Sequence, residues 1–399
     1  MIARLTRWLI DHQKMLLKIL IPLTLVAGIL RLGVELNRAL IATGEKGAID
    51  LKHFFHFYHS WVAGNNYAII KSAYPPASHL LFWPLVGWLN LPAARWWFTF
   101  TNILALVSLI YLAIKYSQLA TRLEKIYLAL LIIAMYPTGV VIGNCQIPLH
   151  VINLLIVTVL MLSIPTVSWS KDLLVSLFMV CALIKPNISA PFGALVLFIP
   201  STYRHYRHIF IIGALYLLLT AWALSFQTAD LATIFHTWAT ESARQTSLSD
   251  IGYANLSNWL IPLGLSRFNL LAFVSLLLLH AGWIYHYRRC DSWLLLGVTA
   301  LVARLIVYHG IYDDTLIIIP LITLIRMNRA NNTKVDNYAY LLVALAWFPL
   351  MAPARLHMMN SWLGALFWLG QPLFWLVMLS FLMMRTQQAQ QTLLKNASV

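Results

Sequence analysis

Residues 97–164 read WFTFTNILALVSLIYLAIKYSQLATRLEKIYLALLIIAMYPTGVVIGNCQIPLHVINLLIVTVLMLSI. They hold three apolar runs, 97–118, 124–142 and 147–164, cut by two short polar breaks. A membrane-crossing helix needs roughly 20 mostly apolar residues, so this stretch reads as three consecutive spans. The pattern continues outward in both directions. Further runs fall at 18–38, 172–185, 187–201, 207–226, 268–287, 292–308, 314–326, 338–352 and 361–384, with an extra apolar piece at 75–92. The reading is an all-α polytopic integral membrane protein, one domain over residues 1–399.

Composition leads to the same place. Of the 399 residues 60% are hydrophobic and 10% charged, too few charges to coat a soluble globule, for which roughly 25% is usual. That excludes a soluble enzyme, a disordered chain and a secreted disulfide scaffold. The net charge of +15, from 28 Lys and Arg against 13 Asp and Glu, is read as positive-inside flanking charge and not as a nucleic-acid surface. Cys145, Cys181 and Cys290 stand too far apart in sequence to suggest a ligand set or a disulfide framework. The first run starts near Lys18 and is long enough to remain a span instead of a cleaved signal.

The cationic clusters set an expected topology. Arg4, Arg7, Lys14 and Lys18 place the N-terminus inside, and Arg204/Arg207, Arg288/Arg289, Arg326/Arg329/Lys334 and Arg385 mark later inner loops. Lys115, Arg122 and Lys125 fit this scheme if 75–92, with Pro75, Pro76, Pro84 and Pro92, is re-entrant or partly inserted. About 12 to 13 crossings follow. Two outer loops are long. Loop 40–74 is aromatic and rich in His, and suits short helices at the headgroup level; loop 227–267 is the longest polar stretch away from the termini. The acidic residues Asp11, Glu124, Asp172, Asp291 and Asp336 fall on inner flanks and are expected to be solvated, with Glu35 at the outer interface.

Chemistry-bearing residues are few and gather on the outer face. Asp50, just past the first span, suits a general base for an incoming hydroxyl, and equally a solvated loop carboxylate or helix N-cap. In RLIVYHGIYDDTLIIIP, His309 and Asp313 sit at the outer edge of a span with Arg304 about a turn deeper; they suit a phosphate site, or an interfacial His with Asp314 as a cap. Lys185, before Pro186, interrupts two apolar runs against the positive-inside trend. It suits either a phosphate contact or a snorkelling Lys at a helix break. Asn144 and Gln146 could bind sugar hydroxyls or satisfy a helix end. Arg244, and Arg355 with His357, are further outer cations. His53, His56 and His59 share one helical face, yet no Cys or Glu completes a zinc site.

In this order the residues resemble those of the bacterial polytopic glycosyltransferases of GT-C architecture, and glycosyltransferase family 87 in particular, the polyprenol-phosphate-mannose-dependent group. The likeness runs over about residues 20–380 and is carried by Asp50, by Gly64 and Tyr67, by Tyr74-Pro75-Pro76, by Gly143 and Gln146, by Lys185-Pro186, and by His309, Tyr312 and Asp313. GNCQIPLHVIN departs from the family's Gly-Gln-x-Asn patch. The resemblance implies a multi-pass protein of the bacterial cytoplasmic membrane with its site facing outside. It implies an inverting transfer of mannose or another hexose or pentose from a polyprenyl-phosphate donor to a lipid-linked or glycan acceptor. Asp50 would then be the base. Lys185, His309, Tyr74, Gln146, Asn144, Arg304, Asp313, Tyr312, Arg244 and Arg355 would line the substrate site. No nucleotide cofactor is implied, and metal dependence stays open. Two other readings fit the spans alone: a transporter or flippase of a lipid-linked saccharide, and an O-antigen ligase or polymerase using a diphosphate-linked donor.

Overall fold

The structure, a computed structural model, describes residues 8, 11–44, 47–199, 206–247, 260, 263–265, 268–306, 309–330, 336–353, 356 and 362–397. Among these residues every regular element is helical. In chain order they are α1 (Gln13–Leu36, continued by a π-turn Asn37–Ile41), α2 (Ile49–Val62), α3 (Tyr67–Ile70), α4 (Pro76–Leu81, followed by a π-turn Trp83–Gly87) and α5 (Leu91–Tyr116). Then come α6 (Arg122–Ala134), α7 (Tyr136–Asn144), α8 (Pro148–Ser163), α9 (Trp169–Ala182), α10 (Pro186–Phe198), α11 (Arg207–Leu224) and α12 (Leu231–Ser247). The last group is α13 (Asn269–Tyr287), α14 (Ser292–Ile306), a 3-10 turn Ile311–Ile317, α15 (Ile318–Ala330), α16 (Asn337–Met351) and α17 (Trp362–Ala397).

Each apolar run of the sequence becomes a helix or a broken pair of helices, which establishes a polytopic helical membrane protein. Length separates them. Within the described residues α1, α5, α11, α13 and α17 are long and apolar enough to cross, and α6 with α7 makes a sixth span bent by 51°. Helices α8, α10, α14 and α16 are shorter apolar rods. The count falls below the expected 12 or so crossings because these helices are shorter than a straight span requires and other runs are divided by breaks. Met135 ends α6 and Pro137 restarts the chain in α7. Lys185 and Pro186 divide α9 from α10. The piece 75–92 likewise forms only α4 and the π-turn.

Helix α1 runs beside α6 and α7, α9 packs on α8 and α11, and α14 lies between α15 and α17. One end of this bundle is locked by buried acids. Glu124 completes a capping box with Thr121, accepts from Gln13 Nε2 at 2.7 Å and pairs with Arg329. Asp172 binds Arg207 at 2.7 Å, joining α9 to α11. Asp336 caps α16 and pairs with Arg385 of α17. The expectation that Glu124, Asp172 and Asp336 are solvated is therefore corrected: all three are largely buried, because each carboxylate ties one helix to another. Glu35, expected at the interface, is also buried. From Gln13 to Arg38, α1 rises about 37 Å and carries the chain from this lock to the opposite end.

At that opposite end the two long loops meet. Helix α2 buries Leu51, Phe54, Tyr58 and Trp61 at helical spacing and leaves His53, His56 and His59 exposed on its other face. Trp61 Nε1 donates to the Ala223 carbonyl at 2.8 Å, and Gln227 Nε2 donates back to the Trp61 carbonyl at 2.9 Å. Helix α12 adds Trp238 Nε1 to Ala73 O at 2.9 Å and Gln245 Nε2 to Lys71 O at 2.8 Å. The 40–74 and 227–267 loops thus hold each other through tryptophan and glutamine donors on backbone carbonyls.

Candidate active site

Asp50 lies in the first turn of α2, where the helix dipole favours an anion. It is not the cap. That position is Ala48, held in the left-handed region at φ 46° and ψ 47° with no side-chain cap bond. Asp50 Oδ2 is shielded from solvent and makes no hydrogen bond. Burial raises the carboxyl above its ordinary 3.8, while Asn144 as a hydrogen-bond partner, the Lys185 and His53 charges, and Gln146 pull it back.

Asn144 and Gln146 come from the end of α7. Cys145 turns left-handed at φ 53°, its N–H bonds Ile142 O, and Gln146 N–H reaches back to Val141 O at 2.8 Å. This is the Schellman arrangement, and it usually calls for glycine at the left-handed position. A buried Cys holds it here, with Sγ 3.6 Å from Thr99 Oγ1. Two of the four non-glycine residues with positive φ among those described therefore flank the candidate site, Ala48 before Asp50 and Cys145 between the two amides. Strained backbone of this kind costs on the order of 1–3 kcal/mol each and concentrates at functional sites.

Lys185 stands where α9 stops and Pro186 opens α10. It does not snorkel. Its Nζ is 2.5 Å from Asp313 Oδ1 and 4.6 Å from the centre of the half-buried Tyr312 ring. Asp313 Oδ2 is 3.0 Å from His309 Nδ1, and His309 Nε2 is 2.9 Å from the Ala303 carbonyl. The carbonyl requires an N–H on Nε2, so the Nδ1 contact also needs a proton between imidazole and carboxylate. Asp314 does not cap the following turn; it pairs with the fully buried Arg304 and accepts from Gln371 Nε2 at 2.8 Å. The 3-10 turn bearing these acids packs against α7 and α8.

Sequence reading missed three arginines. Arg31 and Arg38 flank the buried Glu35 on α1, at 2.9 and 2.7 Å. Arg38 Nη2 donates to Asn144 Oδ1 at 2.5 Å. Arg95 of α5 donates from Nε to Ala39 O at 2.7 Å and from Nη2 to the carbonyls of Arg38 and Ala42, fixing the chain as it leaves α1. The signal was available: in the expected topology Arg31 and Arg38 sit at the outer end of the first run, against the same charge rule that exposed Lys185. Arg31 and Arg38 thus pair with Glu35, Lys185 with Asp313 and Arg304 with Asp314, while Arg95 is taken up by backbone carbonyls.

The remaining expected residues fall differently. Tyr74 is half-buried against Phe54, and its carbonyl accepts from the Tyr67 hydroxyl at 2.8 Å. Arg244 sits on α12 and pairs with Glu241 at 2.8 Å, apart from the buried cluster. Arg355 and His357 lie outside the described residues. Among the described residues no group of three His, Cys, Asp or Glu side chains is placed to hold a metal.

Ionisable groups buried together in a helical membrane bundle are costly and commonly mark substrate pathways. The chain belongs to glycosyltransferase family 87, whose sequence model matches residues 73–307. It is accordingly a membrane glycosyltransferase. The matched segment contains Tyr74, Asn144, Gln146, Lys185, Arg244 and Arg304; Asp50 precedes it, and His309, Tyr312, Asp313 and Arg355 follow it. Searches of curated proteins and of solved structures found no match.

Proposed function

We propose that the protein transfers a sugar, mannose or another hexose or pentose, from a polyprenyl phosphate to a lipid-linked or glycan acceptor at the outer face of a bacterial cytoplasmic membrane. Asp50 takes the proton of the acceptor hydroxyl as that oxygen attacks the anomeric carbon, and the polyprenyl phosphate leaves from the opposite side, inverting the centre. Lys185, His309 and Arg304 supply positive potential to the departing phosphate, and Tyr312 and Tyr74 flank the sugar with Gln146 and Asn144. Asp313 holds Lys185 and His309 in place. Arg244 and Arg355 add outer positive charge for the phosphate.

The observation that supports this most is the pairing of a buried carboxylate oxygen without a hydrogen bond, on Asp50, with cations held in a low-dielectric setting alongside it. Such donors need no rearrangement when charge develops. The lipid phosphate already carries the energy of transfer, so no nucleotide is required.

The test is sugar transfer by the purified protein in lipid nanodiscs, using a panel of polyprenyl-phosphate sugars and lipid acceptors, with product configuration read by NMR. Asp50→Asn should lower turnover by about 10²–10⁴-fold, the usual worth of a general base. Full activity in that variant, or a product that retains configuration, overturns the mechanism. Vectorial movement of an unaltered lipid-linked sugar would favour a flippase instead.

A further inference from the structure

Arg38 is shared between two partners. Nη1 donates to Glu35 Oε2 at 2.7 Å and Nη2 to Asn144 Oδ1 at 2.5 Å. An amide whose oxygen is taken by an arginine has only its NH2 left to offer, and of the neighbours that favour the ionised Asp50 carboxyl the Asn144 amide acts most strongly. A flipped amide would turn its oxygen toward the carboxyl, two acceptors facing each other. Glu35 in turn is seated by an absence. The faces of Gly139 and Gly143 that carry no Cβ, one turn apart on α7, lie against Arg31 and Glu35, one turn apart on α1; a Cβ on Gly143 would overlap Glu35 Oε2 and come within 3.3 Å of Arg38 Nη1.

We propose that Glu35 and Arg38 are positioning residues for Asp50, holding the Asn144 amide with its NH2 toward the carboxyl, and that Gly143 provides the space this requires. The inference rests on Asp50 being the base. It assigns a part in the reaction to the outer end of the first span, which lies before the family-matched segment.

Other charged or titratable groups around Asp50 are accounted for. His53 follows on its own helix, Lys185 approaches from the α9–α10 break, Arg95 comes from α5, the Cys145 thiol from the end of α7, and His79 of α4 is stacked on Trp61 toward the far end of α2. None of these is altered in the variants below.

The experiment is the pH–rate profile of transfer in nanodiscs for Gly143→Ala, Arg38→Met and Arg38→Lys, with Asp50→Asn alongside. Losing the oriented donor disfavours the ionised base, so the acid limb should move up by about half a pH unit or more in Gly143→Ala and Arg38→Met. Turnover should fall about tenfold, as for a lost hydrogen bond to a charged group, while KM for the donor stays within about twofold. Arg38→Lys should recover part of both effects. An unmoved acid limb in Gly143→Ala and Arg38→Met, or a Lys variant no better than Met, overturns the positioning role even where Asp50→Asn is inactive. Intact transfer in Asp50→Asn instead removes the base assignment on which the inference stands. Should Gly143→Ala fail to fold, Arg38→Met decides, since it keeps the aliphatic stem.

Discussion

Lys185 Nζ lies 2.5 Å from Asp313 Oδ1, and both side chains are buried. Two charges out of water are tolerable only as a pair, and removing one leaves the other stranded. Asp313 shares its second oxygen with His309, so losing Lys185 also changes who holds the proton there. Lys185→Met and Asp313→Asn should each destabilise by about 3–5 kcal/mol, and the double variant by less than the sum. Thermal unfolding of the four proteins in one detergent checks this. Strictly additive losses would show that the pair is not a unit.

Asp50 carries opposite consequences for activity and for stability. Burial raises its carboxyl above 3.8. As the proposed general base it must be ionised, so transfer should decline with falling pH at an acid limb centred above that value. For the fold the sign reverses. A raised folded pKa favours the neutral form, so its stabilising contribution is full below the unfolded value and is lost as pH rises through the folded one. Asp50→Asn is neutral throughout. It should therefore melt higher than the parent at pH 7 and alike near pH 4, while transferring poorly. A variant melting lower than the parent at pH 7 would contradict the burial argument.

Much of this was visible in residue order. The runs at 207–226, 292–308 and 338–352 became α11, α14 and α16 with ends displaced by only a few residues, because hydropathy in a bilayer leaves the backbone no alternative to a helix. Lys185 and Arg304 were legible as charges in the wrong place. What the sequence could not show was pairing. Nothing local indicates that Asp313 meets Lys185, that Glu124 meets Arg329 or that Asp314 meets Gln371, since these contacts join residues 128, 205 and 57 positions apart. Acids read as solvated turned out to be buried because partners arrived from distant helices. Arg31 and Arg38 stand four and three residues from Glu35 and that pairing is local, but the reach of Arg38 to Asn144 and of Arg95 to backbone carbonyls at a π-turn appears only in the assembled bundle.

The lock at the other end should separate stability from chemistry. Glu124 is bound by Thr121, Gln13 and Arg329 together, about 37 Å along α1 from Arg38. Glu124→Ala removes a capping box and the partner of a half-exposed Arg329. A loss of about 1–2 kcal/mol is expected, mostly that of the cap. Protein that remains folded at low temperature should keep its KM values and its pH profile. A shifted acid limb in this variant would mean that the two ends are coupled, contrary to the local character of both networks.

Ala48 is the cap of α2 and is held left-handed at φ 46°, two residues before Asp50. For a residue with a Cβ that conformation costs roughly 1–2 kcal/mol, a cost that glycine escapes. Glycine also brings a more mobile unfolded chain, which offsets part of the gain. Ala48→Gly should thus stabilise the protein by up to about 1 kcal/mol. Ala48→Val should destabilise it by more than that, since a β-branched residue is poorly accommodated at positive φ and this position is fully buried. If the strained turn also aims Asp50, Ala48→Gly will lower turnover as it raises the melting temperature, because a freer cap lets the first turn of α2 wander. Melting curves and transfer rates on the same preparations distinguish the cases: a gain in stability at unchanged rate makes the strain a by-product of the tight entry into α2, whereas a gain paired with a slower rate makes it part of how Asp50 is presented.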